Sequence, residues 1–396
     1  LLKRKIFLLF IFSFLILSGC GNLLDWLGFD HRSGGAPSGE RMWTVMVYIA
    51  SDNNMGNIAV YNINQMESVG SSSNLAILVQ WDTGKGCKRY YIQRDSDPKV
   101  INSPVIQSMP DQNTGDPDVL ANFIKWAVAN YPAKHYCLIL WNHGSGWKPL
   151  VRRIQPRAIC IDDSSNDALD TEELREALEK AGVKIDLLGM DACLMQMVEV
   201  ATEVKDWVGY VCASQEDEPW DGWAYDAFLA SLQANPTMDA SQLGKAIVDA
   251  YINYYYKQDP HSQVTLSLVS TSSLTDFASS ISSLGDKLAS LYPSSSIDSA
   301  IQSAQQFSDD DYKDIFHFAQ LVRDNVEEAK IEAETVFNLK NKVVLYRGEL
   351  NIQNAQGLSI YLTKSGFANY QASYSSLLFG QIATGWINFL KKLNGL

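Results

Sequence analysis

The chain has 396 residues, 46% of them hydrophobic and 19% charged, and a formal net charge of −13 at pH 7. That composition is globular, sufficient for one large domain or two, and excludes a collagen-like or low-complexity chain. The acidic balance argues against a nucleic-acid partner, because polyanion binders concentrate Lys and Arg, and it suits cationic substrates.

At the N-terminal end Lys3, Arg4 and Lys5 precede an apolar run from Ile6 to Leu17, which is too short for a comfortable membrane span. It ends in Leu17-Ser18-Gly19-Cys20, which resembles the lipobox of bacterial lipoproteins. The resemblance implies a signal peptide over 1–19, cleavage before Cys20 and lipidation of its thiol. It also implies export to the bacterial cell envelope, with a membrane reached through the acyl chains only. A plain signal peptide with a chance cysteine is the other reading. Residues 20–42 carry "HRSGGAPSGE" without apolar periodicity and read as a flexible tether, so folding is expected to begin near Trp43.

From there apolar runs of strand length alternate with helical patterns. "WTVMVYIA" (43–50) reads as a buried strand, "IAVYNINQME" as a helix, "LAILVQWD" (75–82) as a strand and "RYYIQRD" (89–95) as its hairpin neighbour. Residues 116–131 read as a helix, "HYCLILWNHG" (135–144) as a strand with a polar tip, and "AICIDD" (158–163) as a short strand. A helix follows with Asp170 as N-cap, Glu173 three residues on and Gly182 as its stop. "KIDLLGM" (184–190) reads as a strand, 194–206 as a helix and "GYVCASQ" (209–215) as a strand. Beyond Trp220 helical signals cover 239–257, 273–291, 297–326 and 328–341, with strands at 263–270 and 357–364. Buried strands separated by helices imply an α/β fold with a mostly parallel sheet and helices on both faces. The expected division is an α/β core over 43–235 and a helix-rich portion over 236–396 that carries further strands.

Six cysteines are present. With Cys20 lipidated five remain, and an odd number in an exported protein leaves at least one free thiol. Cys137, Cys160 and Cys212 sit in strand-like runs and read as small buried hydrophobes. Cys193 instead falls between the strand ending at Met190 and the following helical pattern, where a helix N-terminus lowers a thiol pKa and offers free N–H groups to an oxyanion. Read alone, it is a buried structural thiol or a nucleophile. Of the five histidines, His143 alone stands at the carboxyl end of an apolar strand, where functional residues of parallel sheets collect.

Taken together, "WTVMVYIASDNN", "WNHGSGW", "GMDAC" and "GLSIYL" resemble the clostripain family of cysteine peptidases, in the caspase/gingipain-like clan. The resemblance implies a caspase-like fold and a cysteine endopeptidase that cleaves after Arg or Lys. In it Cys193 is the nucleophile and His143 the proton donor to the leaving amine, and the N–H groups of Gly144 and Cys193 form the oxyanion hole. Asp191 and Asp221 map to an acidic primary pocket, which a desolvated guanidinium requires, and Trp220 and Trp223 are expected to wall it. The other readings make Asp191 a helix cap and Asp221 a turn residue. Glu216, Asp217 and Glu218 read as solvated charge. Relatives are processed between the histidine and the cysteine, so the basic stretch 148–158 holds the self-cleavage candidate, Arg157 or one of its neighbours Lys148, Arg152 and Arg153; an ordinary surface loop is the alternative.

No cofactor is expected. CxxC and HExxH are absent, and Asp309-Asp310-Asp311 lacks the spacing of an EF-hand loop for the calcium some relatives need. Competing functions are a catalytically inactive surface lipoprotein that binds peptides or a partner protein, a nucleotide-binding enzyme, and a hydrolase using Ser145. "TGKGCK" lacks the Walker spacing, which disfavours the second.

Overall fold

The computed structural model describes residues 41–148 and 159–396. In chain order its elements are β1 (Arg41–Ala50), α1 (Gly56–Val69), β2 (Leu75–Asp82), β3 (Cys87–Tyr91), β4 (Val105–Met109), α2 (Pro117–Asn130) and β5 (Ala133–Trp141). Next come β6 (Ile159–Asp162), β7 (Asp167–Leu169), α3 (Thr171–Ala181), β8 (Ile185–Asp191), α4 (Val198–Val204), β9 (Val208–Ala213), α5 (Tyr225–Ala234) and α6 (Ala240–Gln258). The remainder includes β10 (Val264–Ser270), α7 (Leu274–Leu291), α8 (Ser295–Ser303), β11 (Tyr312–Asp314), α9 (Ile315–Asn325), β12 (Val344–Leu350) and β13 (Ser359–Tyr361).

Nine strands form one sheet in the order β12-β10-β9-β8-β5-β1-β2-β3-β4. The five from β9 to β2 are parallel, and an antiparallel pair extends each side. Strand β1 shows why helices cover both faces. Trp43, Val45, Val47 and Ile49 belong to one buried cluster with residues of α1, α5 and α6, whereas Met46, Tyr48 and Ala50 belong to another with residues of α2, α3 and α7. Successive side chains of a strand point to opposite faces, so a strand apolar at every position must be buried twice.

Register brings the functional edge together. Ile49 lies opposite Trp141, and Trp141 opposite Asp191, so β1, β5 and β8 end side by side. The loops after them, beginning at Ser51, Asn142 and Ala192, leave from one rim.

Local chemistry sets the helix ends. Asp170 accepts from the Glu173 N–H (2.8 Å) while Glu173 accepts from the Asp170 N–H (2.9 Å), and Gly182 stops α3 in the left-handed region at φ 67°.

Several expected elements differ. The helix expected over 194–206 begins only at Val198. Leu194 adopts φ 64°, the Gln196 N–H donates to the Ser214 carbonyl (2.8 Å), and the Ser359 N–H donates to the Gln196 carbonyl (3.0 Å). Residues 194–197 are thus drawn into cross-strand bonds instead of a helical turn. Strand β6 pairs with β7 outside the main sheet, and β13 pairs with β11. The pattern over 297–326 is broken by β11 between α8 and α9. The portion after residue 235 is continuous with the core, because β10 and β12 extend the same sheet and Gly39–Leu396 forms one unit. Among the described residues no helix is long and apolar enough to cross a membrane. The leader, Cys20 and most of the tether lie outside the described residues, as does the segment with Arg152, Arg153 and Arg157.

Candidate active site

A cleft of about 350 Å³ opens at the shared rim, lined among others by His143, Gly144, Asp191, Cys193, Glu218 and Trp220. The sequence "WNHG" explains how β5 delivers its tip. The Trp141 indole donates to Asn62 Oδ1 of α1 (2.9 Å). The Asn142 amide donates to the Ala50 carbonyl and accepts from the Ile161 N–H (2.8 Å), fixing the turn against β1 and β6. His143 and Gly144 then enter the cleft. A Cβ on Gly144 would lie 2.4 Å from the Cys193 carbonyl oxygen, so only glycine permits this approach of the two loops. Among the described residues, neither the Gly144 nor the Cys193 backbone N–H has an acceptor.

His143 has a partner that the sequence did not reveal. Asn54 Oδ1 lies 2.7 Å from its Nε2. An amide oxygen there makes Nε2 the protonated nitrogen and leaves Nδ1 free to accept. Asn53 holds the loop that presents Asn54: its amide donates to the carbonyls of Ala50 (3.3 Å) and Ile161 (2.9 Å), and its Oδ1 accepts from the Met55 N–H (3.0 Å). The available signal was position, since "SDNN" directly follows the carboxyl end of β1 in a parallel sheet. Trp220, 56% exposed, stands edge-on to the His143 ring at 6.1 Å. Burial holds His143 below the usual imidazole range, against an opposing pull from Asp163.

Cys193 is half-buried, and its sulfur accepts from the Glu218 N–H (3.3 Å). Burial pushes its thiol up to about 11, with the negative charge of Asp217 and Asp191 adding to the effect. The helix-terminus activation expected from the sequence is therefore absent, because the next helix starts at Val198 and its dipole does not reach the sulfur. At neutral pH the site holds a thiol and a neutral imidazole.

Asp191 ends β8 with its carboxylate buried in the cleft, where Oδ2 accepts from Tyr225 Oη (2.8 Å) and the Trp223 N–H (3.3 Å). It caps no helix. Burial raises it to about 6. Asp221 is placed differently from the expectation: it is exposed, does not line the cleft, and accepts from Tyr254 of α6 (2.8 Å). Of the acidic run read from sequence as solvated, Asp217 and Glu218 line the cleft beside Asp191. The turn closed by the Gly222 N–H on the Pro219 carbonyl (3.0 Å), with Gly222 at φ 63°, folds that strip back over β8. Trp223 is 1% exposed, packs under Gly189 and donates to Glu218 Oε1 (3.3 Å), so of the two tryptophans only Trp220 walls the cleft.

Other candidates fall away from the cleft. Cys87, Cys137, Cys160 and Cys212 are buried free thiols. His135 pairs with Asp186 (3.1 Å), and His317 Nδ1 accepts from the Gln305 N–H (2.9 Å). The Ser145 hydroxyl is buried and has no hydrogen-bond partner among the described residues, so none of them serves it as a base. Lys148, 3% exposed, donates to Asp309 (2.7 Å) and Asp311 (3.0 Å) and lies over Tyr312. That ion pair withdraws Lys148 from the self-cleavage candidates and supplies the acidic triplet with a protein cation. Among the described residues no cluster of three metal-ligating side chains occurs.

The sequence model of the clostripain family matches residues 47–392. Clostripain of Hathewaya histolytica is 30% identical over 223 residues, a stretch covering 48% of this chain and 42% of that protein, so the match spans less than half of that relative's length. Two solved structures share the fold. A secreted C11 cysteine protease from Bacteroides thetaiotaomicron, in complex with an irreversible peptide inhibitor, aligns with a TM-score of 0.69 at 22% identity, covering 87% of this chain and 99% of that one. An inactive zymogen C11 protease from Parabacteroides distasonis aligns with a TM-score of 0.69 at 19% identity over the same shares. With the family model spanning most of the described residues, the chain belongs to the clostripain family of cysteine peptidases.

Proposed function

We propose that the chain is a cysteine endopeptidase that cleaves after Arg or Lys, with Cys193 as nucleophile and His143 as proton carrier. The observation that carries the reading is the convergence of His143, Gly144, Cys193 and the buried Asp191 on one cleft. A cationic side chain of the substrate enters toward Asp191, pairing with a carboxylate that water does not screen. The scissile carbonyl then lies beside the Cys193 sulfur, with its oxygen facing the unbonded N–H groups of Gly144 and Cys193. As the sulfur attacks the carbon, the thiol proton passes to His143 Nδ1. The tetrahedral oxyanion collapses, the C–N bond breaks, and His143 returns that proton to the leaving amine. Water, deprotonated by the same imidazole, hydrolyses the thioester and restores the thiol. Hydrolysis of fluorogenic Arg and Lys peptides, with Cys193→Ala as control, tests the reading; turnover that survives the substitution refutes it.

Asn54 acts here as a positioning residue, selecting the tautomer of His143. Asn54→Ala is expected to lower kcat about ten- to a hundredfold, the worth of one strong hydrogen bond, with KM little changed. Asn54→Asp places an anion at Nε2 and raises the imidazole pKa, so the acid limb of the kcat profile moves to higher pH. A purely structural Asn54 would leave that limb in place.

Self-processing belongs to the same reading. Cleavage after Arg157 converts the chain into a two-fragment enzyme, and Cys20 tethers it to the envelope after export. Intact-mass measurement is expected to find the cut in the wild type and not in Cys193→Ala, with Arg157→Ala suppressing it. A nick in both proteins, or in neither, removes self-processing.

A further inference from the structure

The floor of the cleft holds one carboxyl more than a single cationic side chain requires. Asp191 Oδ2 is served by Tyr225 and the Trp223 N–H. Glu218 Oε1 is served by the Trp223 indole at 3.3 Å, but its Oε2 is closed off from solvent and faces no donor among the described residues. Both carboxyls line the same cleft, and Trp223 bonds to each of them, through its N–H to Asp191 and through its indole to Glu218. Two carboxylates side by side in a dry site repel, and neither can donate; a single proton held between them removes the repulsion and gives the orphaned oxygen a bond.

We propose that Glu218 is a second carboxyl of the primary pocket, sharing one proton with Asp191 while the pocket is empty and releasing it when a guanidinium or ammonium enters. The proposal rests on the peptidase reading above and deepens it. The exchange balances: a pair of charge −1 takes up a cation of +1, becomes a dianion bound to that cation, and gives one proton to solvent.

The surroundings favour this exchange. Tyr225 from α5 and Tyr251 and Tyr255 from α6 face the pair, and burial together with these carboxyls pushes all three phenols up, so they stay neutral. Cys212 of β9 lies beneath and stays a thiol for the same reasons. Cys193 and Asp217 stand on the cleft side, and Asp221 acts on Tyr255 from the loop. Among the described residues neither Asp191 nor Glu218 has an ion-pair partner. Among the described residues the proton is thus the counter-charge open to the pair, and the substrate's cation replaces it. Burial and the Asp191 charge hold the Glu218 carboxyl above the usual carboxylate range, consistent with a proton retained near neutral pH. Because the occupied pocket binds fewer protons than the empty one, affinity for a cationic side chain rises with pH until the empty pair has lost its proton.

The test uses the full chain carrying Cys193→Ala, titrated calorimetrically with acetyl-Ala-Ala-Ala-Arg-amide in phosphate and in Tris, whose ionisation heats differ. About one proton released per peptide bound, and affinity rising about tenfold per pH unit, is the expected result. With Glu218→Gln added, whose amide donates to Asp191 permanently, binding is expected without release. Binding without proton release in the Cys193→Ala protein overturns the proposal while leaving the basic-residue pocket standing. Release that persists in Glu218→Gln assigns the proton elsewhere and also overturns it. Failure to bind the arginine peptide, or equal binding of its citrulline analogue, removes the pocket reading itself.

Discussion

Replacing Cys193 by alanine is expected to lower kcat/KM for an arginine peptide at least about 10⁴-fold while the fold survives, because the proposed mechanism has no second nucleophile in the cleft. The sulfur contacts the Glu218 main chain and little else polar, so its removal is expected to change unfolding free energy by less than about 1 kcal/mol. Ser145→Ala provides the contrast: that hydroxyl is buried and without a partner among the described residues, and its loss is expected to leave activity intact. The pH profile of kcat carries the same chemistry. Attack requires a neutral imidazole, and burial holds His143 below its usual range, so kcat at saturating peptide is expected to persist to lower pH than an exposed histidine permits. With the thiol pushed up to about 11, alkylation of the free enzyme by iodoacetamide is expected to be slow near neutrality and to accelerate as pH rises. Full turnover by Cys193→Ala, measured with the fluorogenic peptide, would end the thiol mechanism.

The parts of the fold legible in the sequence were those specified locally. "LAILVQWD" coincides with β2, and the Asp170, Glu173 and Gly182 signals bound α3, because alternation and capping involve residues a few positions apart. What failed depended on distant partners. Residues 194–197 carry a helical pattern, yet the hydrogen bonds of Gln196 with Ser214, Ser267 and Ser359 keep them out of a helical turn. Strands β4 and β12, with their exposed faces, lack the apolar runs that betrayed the core strands and are defined by the neighbours they pair with.

The site divides the same way. His143 and Cys193 were visible because each follows a strand, and register then places those strand ends together. Asn54 and Glu218 were not, since an asparagine in a loop and a glutamate in an acidic run have ordinary explanations. Only the folded chain shows that one touches an imidazole and the other turns inward. Asp221 erred in the opposite direction: its sequence position suited the pocket, but Tyr254 draws its carboxylate to the face of α6.

Asp191→Asn is expected to lower kcat/KM for Arg and Lys peptides by roughly 30-fold to several thousand-fold, the 2–5 kcal/mol typical of losing one partner of a buried charge pair. An uncharged residue at the same substrate position should gain relative to Arg, since the penalty falls on the cation that has lost the Asp191 charge. Stability should move the other way. The Asp191 carboxyl is raised to about 6 by burial, above the ordinary carboxylate value of the unfolded chain. The folded state therefore holds more protons than the unfolded state between those two values, and the wild type loses stability as pH rises through that window. An asparagine has no proton to lose, still accepts from Tyr225 and Trp223 through its oxygen, and offers its amide to Glu218. The variant's urea midpoint is thus expected to match or exceed the wild type's at pH 7 and to vary less between pH 4 and 7. Lower activity with undiminished stability marks a carboxylate kept for the substrate's charge at the expense of the fold. A variant that loses both together would show Asp191 to be structural.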